Sequence, residues 1–239
     1  MRISTIGVFA VIALACAAEA SAAEGDELVF LNAPKWLSAP SADQAAAAYP
    51  AGRDRAGEVS LLCELNGEGG LKNCETQSEA PQGMGFARAA KSLTPLFKAD
   101  LSAVAGTKLS RVLITVPVKF PAPADRAAPR TTADPDWIGT PPAQALTDAF
   151  PAKAAQAGAA TGRAVLECTA DRHGLMTACQ VISETPPDLD FGLAAKQVAA
   201  LMGVNPWTAD GRPADGELVK FAVRLNRDEA AAATAMKPQ

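Results

Sequence analysis

The segment VSLLCELNGEGGLKNC at residues 59–74 decides the fold, because its pattern is that of two strands around a turn. Apolar side chains alternate with other residues from Val59 to Leu65, which is the period of a β-strand. The glycine-rich run at residues 66–70 predicts a tight turn, and residues 72–78 are expected to return as a second strand. The sequence therefore predicts a β-hairpin.

A related segment, AVLECTADRHGLMTAC at residues 164–179, follows at an offset of 105 residues. The positions that match at this offset are Cys63 and Cys168, Gly69 and Gly174, Cys74 and Cys179, Phe86 and Phe191, and Val118 and Val223. The Pro-x-Trp openings at residues 34–36 and 135–137 match at an offset of 101, so a four-residue insertion (105 − 101) lies between Pro151 and Cys168. A constant offset over so many positions predicts a duplicated domain.

Each copy is expected to fold in the order helix, strand, strand, helix, strand. Ser41 has the residue type of a helix N-cap, and Pro50 would end that first helix. Apolar residues recur at helical spacing from Phe86, and from Phe191 in the second copy, before a closing strand. The predicted fold class is α+β, with two tandem small domains, each a three-stranded antiparallel sheet packed by two helices.

The domains are assigned to residues 30–120 and 135–226. Residues 121–134 between them are rich in proline and alanine and predict a semi-extended linker. Residues 227–239 consist mostly of small residues after a short charged run, which predicts a flexible tail.

Residues 1–22 have the pattern of a cleavable secretory signal. Arg2 supplies the basic start, residues 3–18 carry no charge, and Ala20-Ser21-Ala22 supplies small residues for cleavage. The uncharged run is shorter than the roughly 20 residues of a spanning helix. A periplasmic location is expected, with an uncleaved inner-membrane signal anchor and lipidation at Cys16 as the alternatives.

The composition excludes several classes of function. With 22 basic and 26 acidic residues the net charge is −4, whereas a nucleic-acid-binding protein needs clustered positive charge. The single histidine, His173, excludes a multi-histidine metal centre and lies in a turn, where a solvated role is expected. Glu79 and Glu184 recur in both copies and are expected to cap or pair locally. No enzymatic activity, metal, cofactor or small-molecule substrate is predicted.

The cysteines of each hairpin are expected to form the disulfides Cys63–Cys74 and Cys168–Cys179. If Leu65 faces Lys72 across the turn, Cys63 faces Cys74, and an antiparallel pair of this kind lies within disulfide range. Export to an oxidising compartment would allow the bonds to form. Four buried free thiols are the alternative.

Each copy resembles the C-terminal domain of TonB-type energy transducers. The matching features are the Trp-Leu-Ser-Ala-Pro and Trp-Ile-Gly-Thr-Pro openings, the Gly-x-(Leu/Met)-x-x-Cys hairpin, the Glu-x-Pro element, the Phe that begins an alanine-rich helix, and the closing apolar strand. The resemblance covers about 180 of the 239 residues. It implies a module that captures extended segments of outer-membrane receptors by adding them to its sheet as a strand.

The two closing strands differ as binding edges. An edge strand presents unpaired N–H and C=O groups to an extended peptide. Pro117 removes one donor from the closing strand of the first copy, whereas Ala222 keeps it in the second. The predicted peptide-binding edge comprises Val219, Lys220, Phe221, Ala222, Val223 and Arg224. The predicted weaker edge comprises Val112, Ile114, Val116 and Val118.

The expected partners are extended segments of outer-membrane or periplasmic proteins, with a link to receptor transport, and the chain is expected to be a monomer or an edge-paired dimer. A transducer's anchor histidine and long proline-rich spacer are absent from the sequence, so energy transmission is not expected. The alternative is an envelope scaffold in which the closing strands pair with each other and no peptide binds.

Overall fold

The computed structural model describes residues 28–126, 130–132 and 134–227. The predicted signal peptide at residues 1–22, including Cys16, and residues 228–239 of the predicted tail lie outside the described residues. The chain has a mixed α+β fold with two similar sheet-containing halves, as the duplication predicts. They are called the first and second repeats below.

The first repeat begins with two short strands and a short helix. Its elements are β1 (Val29–Leu31), β2 (Trp36–Ser38), α1 (Ala42–Ala47), β3 (Gly57–Leu65), β4 (Leu71–Ala80), α2 (Phe86–Leu93), β5 (Lys98–Ala99) and β6 (Val112–Phe120). Ser41 caps α1 as predicted: its side chain accepts a hydrogen bond from Gln44 N at 3.2 Å, while Gln44 Oε1 accepts one from Ser41 N at 2.9 Å. Pro95 lies in a 3₁₀ turn, Thr94–Leu96, that follows α2.

The second repeat has the same order of elements with one helix added. Its elements are β7 (Thr131–Thr132), β8 (Trp137–Gly139), α3 (Ala143–Asp148), α4 (Ala152–Gln156), β9 (Thr161–Ala170), β10 (Met176–Thr185), α5 (Phe191–Ala199), β11 (Gly203–Val204) and β12 (Leu218–Asn226). The extra helix, α4, lies in the region where the two repeat offsets require an inserted segment. It buries Ala154 against the second core.

The main sheets have four strands rather than the predicted three. Their strand orders are β1-β6-β3-β4 and β10-β9-β12-β7. The fourth strand is short and parallel in both repeats: β1 pairs with β6, and β7 pairs with β12. Sequence patterning missed β7 because two residues carry no period, and its residues were assigned to the linker at 121–134.

Next to the turn, the hairpin register differs by one residue from the predicted one, and it returns to the predicted register at Cys63. Leu65 pairs with Leu71 and Glu64 with Lys72, and Asn73 then bulges out with a φ of +49°. The bulge places Cys74 opposite Cys63, and Ala178 (φ +47°) has the same role in the second repeat. A contiguous register would have set Cys63 opposite Asn73.

Both predicted disulfides are present. The Cα atoms of Cys63 and Cys74 lie 4.1 Å apart, and those of Cys168 and Cys179 lie 4.0 Å apart. Bonds of this kind persist in oxidising compartments and are rare in the cytosol. They therefore indicate an oxidising compartment outside the cytoplasm. No helix in the described part of the chain is both long and apolar enough to cross a bilayer.

Each repeat has its own apolar core between the sheet and its helices. The inward face of β6 buries the four residues predicted as the weaker edge, Val112, Ile114, Val116 and Val118. The first core also contains Trp207, which belongs to the second repeat and is only 1% exposed. A side chain of the second repeat therefore completes the core of the first.

Candidate peptide-binding edge

The outer edge of β6 is occupied at both ends by other parts of the chain. At its start, Val112–Ile114 pair with β1 in parallel. At its end, the N–H of Lys119 donates to the carbonyl of Gly211 at 2.6 Å. Gly211 lies in residues 205–213 of the second repeat, a segment named here the tryptophan turn.

The tryptophan turn inserts an indole beside the same edge. Trp207 Nε1 donates a hydrogen bond to the carbonyl of Pro117 at 2.9 Å, and its ring meets Phe97 edge-on with centroids 4.9 Å apart. Gly211 has a φ of +89°, and a Cβ there would lie 2.7 Å from the carbonyl carbon of Pro117. Only glycine allows this approach without displacement of the backbone.

A buried asparagine joins the two repeats beside this turn. Asn205 is 5% exposed, and its Oδ1 accepts from the N–H of Trp36 at 3.1 Å. Its Nδ2 donates to the carbonyl of Pro34 and to Asp136 Oδ2, each at 2.8 Å. The amide thus satisfies groups at the openings of both repeats, as a buried polar group must.

The outer edge of β12 is covered over a much shorter length. Among the described residues, β7 pairs only with Leu218 and Val219. Glu217 fixes β7 in place, because its Oε2 accepts from Thr132 Oγ1 at 2.7 Å and its Oε1 forms an ion pair with Arg130 at 2.9 Å.

Beyond Lys220 the outward backbone groups of β12 are open. The N–H of Leu218 points away from β9, to the carbonyl of Arg130, so the backbone groups of the alternate residues Lys220, Ala222 and Arg224 also point outward. Among the described residues, no hydrogen bond reaches the outward N–H or C=O group of Ala222 or of Arg224.

Side chains along the predicted peptide-binding edge alternate between the buried and the exposed face of the sheet, as in a regular strand. Val219 and Val223 are buried, Phe221 is half-buried, and Lys220, Ala222 and Arg224 are exposed. The exposed positions therefore share one face, with two positive charges next to the open backbone.

The opposite edges of the two sheets are less suited to strand addition. These edges are β4 and β10, and each carries two register shifts along its pairing with the neighbouring strand. Bulges interrupt the regular spacing of edge groups and are a common means of blocking edge pairing. The longest regular open edge in the described chain is therefore that of β12.

A cleft of about 750 Å³ lies between the two repeats, below the tryptophan turn. Charges of both signs line it, and four of them form two ion pairs: Lys119 with Glu58 at 3.5 Å, and Arg130 with Glu217 at 2.9 Å. Burial lowers the pKa of Arg130 from its ordinary value, and the charge of Glu217 opposes that change. The cleft thus has no single sign of charge to select an ion.

The remaining residues singled out from the sequence have local structural contacts. His173 is exposed in the hairpin turn, where its N–H donates to Asp171 Oδ1 at 2.8 Å. Glu79 Oε1 accepts from the N–H of Ala87 at 3.1 Å, and Glu184 Oε2 accepts from that of Gly192 at 2.6 Å. The two glutamates thus cap the first turns of α2 and α5, which confirms their expected role.

Sequence reasoning missed Asn205 and Trp207, which join the repeats. One signal for them existed: at the offset of 105 residues, Trp207 corresponds to Ser102 and Asn205 to Asp100, so the third tryptophan has no counterpart in the first repeat. The closing strands β6 and β12 lie in different sheets, so they do not pair directly with each other as the scaffold alternative supposes.

The sequence is similar to that of an uncharacterized protein of Caulobacter vibrioides, with 34% identity over 62 residues. The matched region is 26% of this chain and spans 62% of the length of that protein. No protein-family model matches the chain. No solved structure matches it either.

Proposed function

We propose that this protein is a periplasmic binding module, similar to the C-terminal domain of TonB-type transducers, in which the second repeat captures extended segments of other proteins. The captured segment would add as a strand to the outer edge of β12. Its sources would be outer-membrane or periplasmic proteins, including transport receptors, and the module would carry out no chemistry of its own.

The observation that carries this proposal is the open backbone of Ala222 and Arg224. These residues present donors and acceptors at the spacing of a strand, on an edge that no described segment covers beyond Lys220. Unpaired edge groups of this kind are the template that strand addition uses. Both disulfides agree with the proposed compartment, and the export signal expected at residues 1–22 would deliver the chain there.

The first repeat supports the assignment by contrast. Its equivalent edge is occupied by β1 and by the tryptophan turn, which leaves little length for a ligand. Pro117 corresponds to Ala222, and its missing N–H would point outward rather than toward β3. Proline at this position is therefore compatible with the fold and incompatible with one strand-addition hydrogen bond.

Site-specific photo-crosslinking in the periplasm tests the proposal. A benzophenone amino acid at Lys220, exposed on β12, should form crosslinks to other envelope proteins. Ala222→Pro should reduce these crosslinks at least fivefold, because it removes the outward donor while the ladder to β9 stays intact. A crosslinker at Thr115, the equivalent exposed residue of β6, is the matched control and should form few crosslinks.

Two controls make the outcome decisive. Ala222→Val retains the N–H and should leave the crosslinks unchanged. Unchanged crosslinks in the Ala222→Pro variant, with its circular dichroism spectrum intact, would contradict strand addition at this edge.

The scaffold alternative is favoured by one observation, the internal covering of the first repeat's edge. Amide hydrogen exchange separates the two functions. Rapid exchange at Ala222 and Arg224, beside protected amides at Val219 and Val223, is expected of a binding edge. Protection of all four in the isolated protein would favour the scaffold.

A further inference from the structure

The first repeat holds an occupied version of the edge that the second repeat leaves open. We propose that the outer edge of β12 also binds a tryptophan-bearing turn of a partner protein, in the manner in which β6 holds residues 205–213. This proposal and the proposed function both depend on the open edge of β12. The proposal adds a second class of ligand, and the contacts of residues 205–213 with the first repeat indicate which groups that ligand carries.

The backbone positions of the two edges correspond one to one. Ile114 faces Cys63 across the β3–β6 ladder, as Val219 faces Cys168 across the β9–β12 ladder. Counting along the strands, Pro117 corresponds to Ala222 and Lys119 to Arg224. In the first repeat the carbonyl of Pro117 accepts the indole N–H, and the N–H of Lys119 donates to the turn glycine. The equivalent groups on β12, the carbonyl of Ala222 and the N–H of Arg224, are both open.

An aromatic surface also lies beside each edge. In the first repeat Phe97 lies between the rings of Trp207 and Trp36, and Trp36 is only 3% exposed. In the second repeat the rings of Trp137 and Phe221 meet edge-on at 5.0 Å, and both residues are half-buried. The second repeat thus offers uncovered ring surface where the first has an inserted indole.

The residue that replaces Phe97 suits the same ligand. At the repeat offset, Met202 stands in this position and is half-buried against the second core. A methionine thioether makes favourable contacts with aromatic rings and adapts to irregular space. An incoming indole would therefore meet a methionine and two aromatic rings.

Charge defines a second feature of the ligand. In the tryptophan turn, Asp210 precedes Gly211, and the positive charge of Lys119 contributes to lowering the pKa of Asp210. Arg224 corresponds to Lys119, and Lys220 lies exposed on the same face. The expected ligand thus carries a tryptophan, an acidic residue three positions later and a glycine directly after it.

The chain's own tryptophan turn supplies the probe. A blocked synthetic peptide with the sequence Asn-Pro-Trp-Thr-Ala-Asp-Gly-Arg-Pro, that of residues 205–213, is titrated into the full chain. We expect saturable chemical-shift changes at the amide of Arg224 and at the indole of Trp137. A peptide with alanine in place of tryptophan should bind at least tenfold more weakly, which corresponds to about 1.4 kcal/mol.

Ala222→Pro distinguishes this proposal from strand addition. The variant keeps the carbonyl of residue 222 and the N–H of Arg224, and Pro117 shows that a turn docks beside proline. Peptide affinity should stay within twofold of wild type, whereas strand addition should be lost.

Three results would overturn the proposal: no saturable binding, shift changes at residues 112–120 instead of β12, or loss of peptide binding in Ala222→Pro. Crosslinks at Lys220 report on strand addition separately. Their insensitivity to Ala222→Pro would contradict the proposed function and leave this proposal standing.

Discussion

At the scale of single residues, Trp207 of the second repeat fills part of the core of the first repeat. Replacing it with alanine removes an almost fully buried indole from the first core together with its bond to Pro117. We expect the free energy of unfolding, measured in urea, to fall by about 3–5 kcal/mol.

Trp207→Phe is the matched control for the hydrogen bond. It keeps an aromatic ring but leaves the carbonyl of Pro117 without its donor, so a loss of about 1–2 kcal/mol is expected. A loss below 1 kcal/mol in the alanine variant would contradict the inclusion of Trp207 in the first core.

Asp210 gives the tryptophan turn an acid dependence. Burial would raise the pKa of its carboxyl, but hydrogen bonds from Thr208 and Arg212 and the charges of Arg212 and Lys119 hold that pKa below the ordinary 3.8. A lowered folded-state pKa stabilises the fold above the unfolded value, and this stabilisation is lost as the pH falls through the folded value.

The prediction is therefore a difference between wild type and Asp210→Asn that depends on pH. The difference in free energy of unfolding should be constant from about pH 7 to pH 5 and should shrink below about pH 3.8. Asp215→Asn, a change outside this hydrogen-bond group, is the control. A difference that grows on acidification would refute the assigned contacts.

At the scale of elements, the disulfides brace two small sheets. Closing a loop with a sequence separation of 11 residues is expected to contribute roughly 3 kcal/mol. The double variants Cys63→Ala/Cys74→Ala and Cys168→Ala/Cys179→Ala should each lose about 2–4 kcal/mol by denaturant titration. If only one of the two double variants lost stability, the two disulfides would not have equivalent roles.

The glutamate caps form a second matched pair. The N-cap residues of α2 and α5, Gly85 and Asp190, make no side-chain capping hydrogen bond. The carboxylates of Glu79 and Glu184 accept hydrogen bonds from first-turn N–H groups instead. Glu79→Gln and Glu184→Gln should each cost less than the alanine variants, for which about 1 kcal/mol is expected by thermal unfolding. Equal effects of glutamine and alanine would contradict a capping role.

Long periodic elements were predictable from the sequence, and short ones were not. The Val59–Leu65 alternation and the Phe86 helix carry enough repeats of their period to identify them. The strand Thr131–Thr132 has two residues, and its position depends on the contact between Glu217 and Thr132. The bulge at Asn73 was missed because side-chain patterning does not report a single left-handed residue.

The candidate edge was predictable only in part. The difference between Pro117 and Ala222 is visible in the sequence, and the structure places both on outward-facing positions. The covering of β6 was not visible, because it depends on residues 205–213 of the other repeat. Contacts across about 90 residues (207 − 117) leave no local pattern.

At the scale of the whole molecule, Gly211 controls how closely the repeats approach. Gly211→Ala combines an unfavourable positive φ with a clash against Pro117, whereas Gly216, with a φ of +79°, faces open space. Gly216→Ala should cost about 1 kcal/mol, and Gly211→Ala clearly more. If the interface between the repeats opens, the amide of Lys119 should exchange faster in Gly211→Ala but not in Gly216→Ala. Equal exchange rates in the two variants would contradict this role of Gly211.

The place of Trp207 in the first core also sets the order in which the protein can mature. Synthesis runs from the N-terminus, so the first sheet emerges 87 residues (207 − 120) before the side chain that completes it. Until Trp207 is present, the first repeat has an unfilled space in its core beside Phe97. The first core can therefore be completed only once residues 205–213 are present, and a chain truncated before Trp207 would have the strands of the first sheet without the side chain that fills its core.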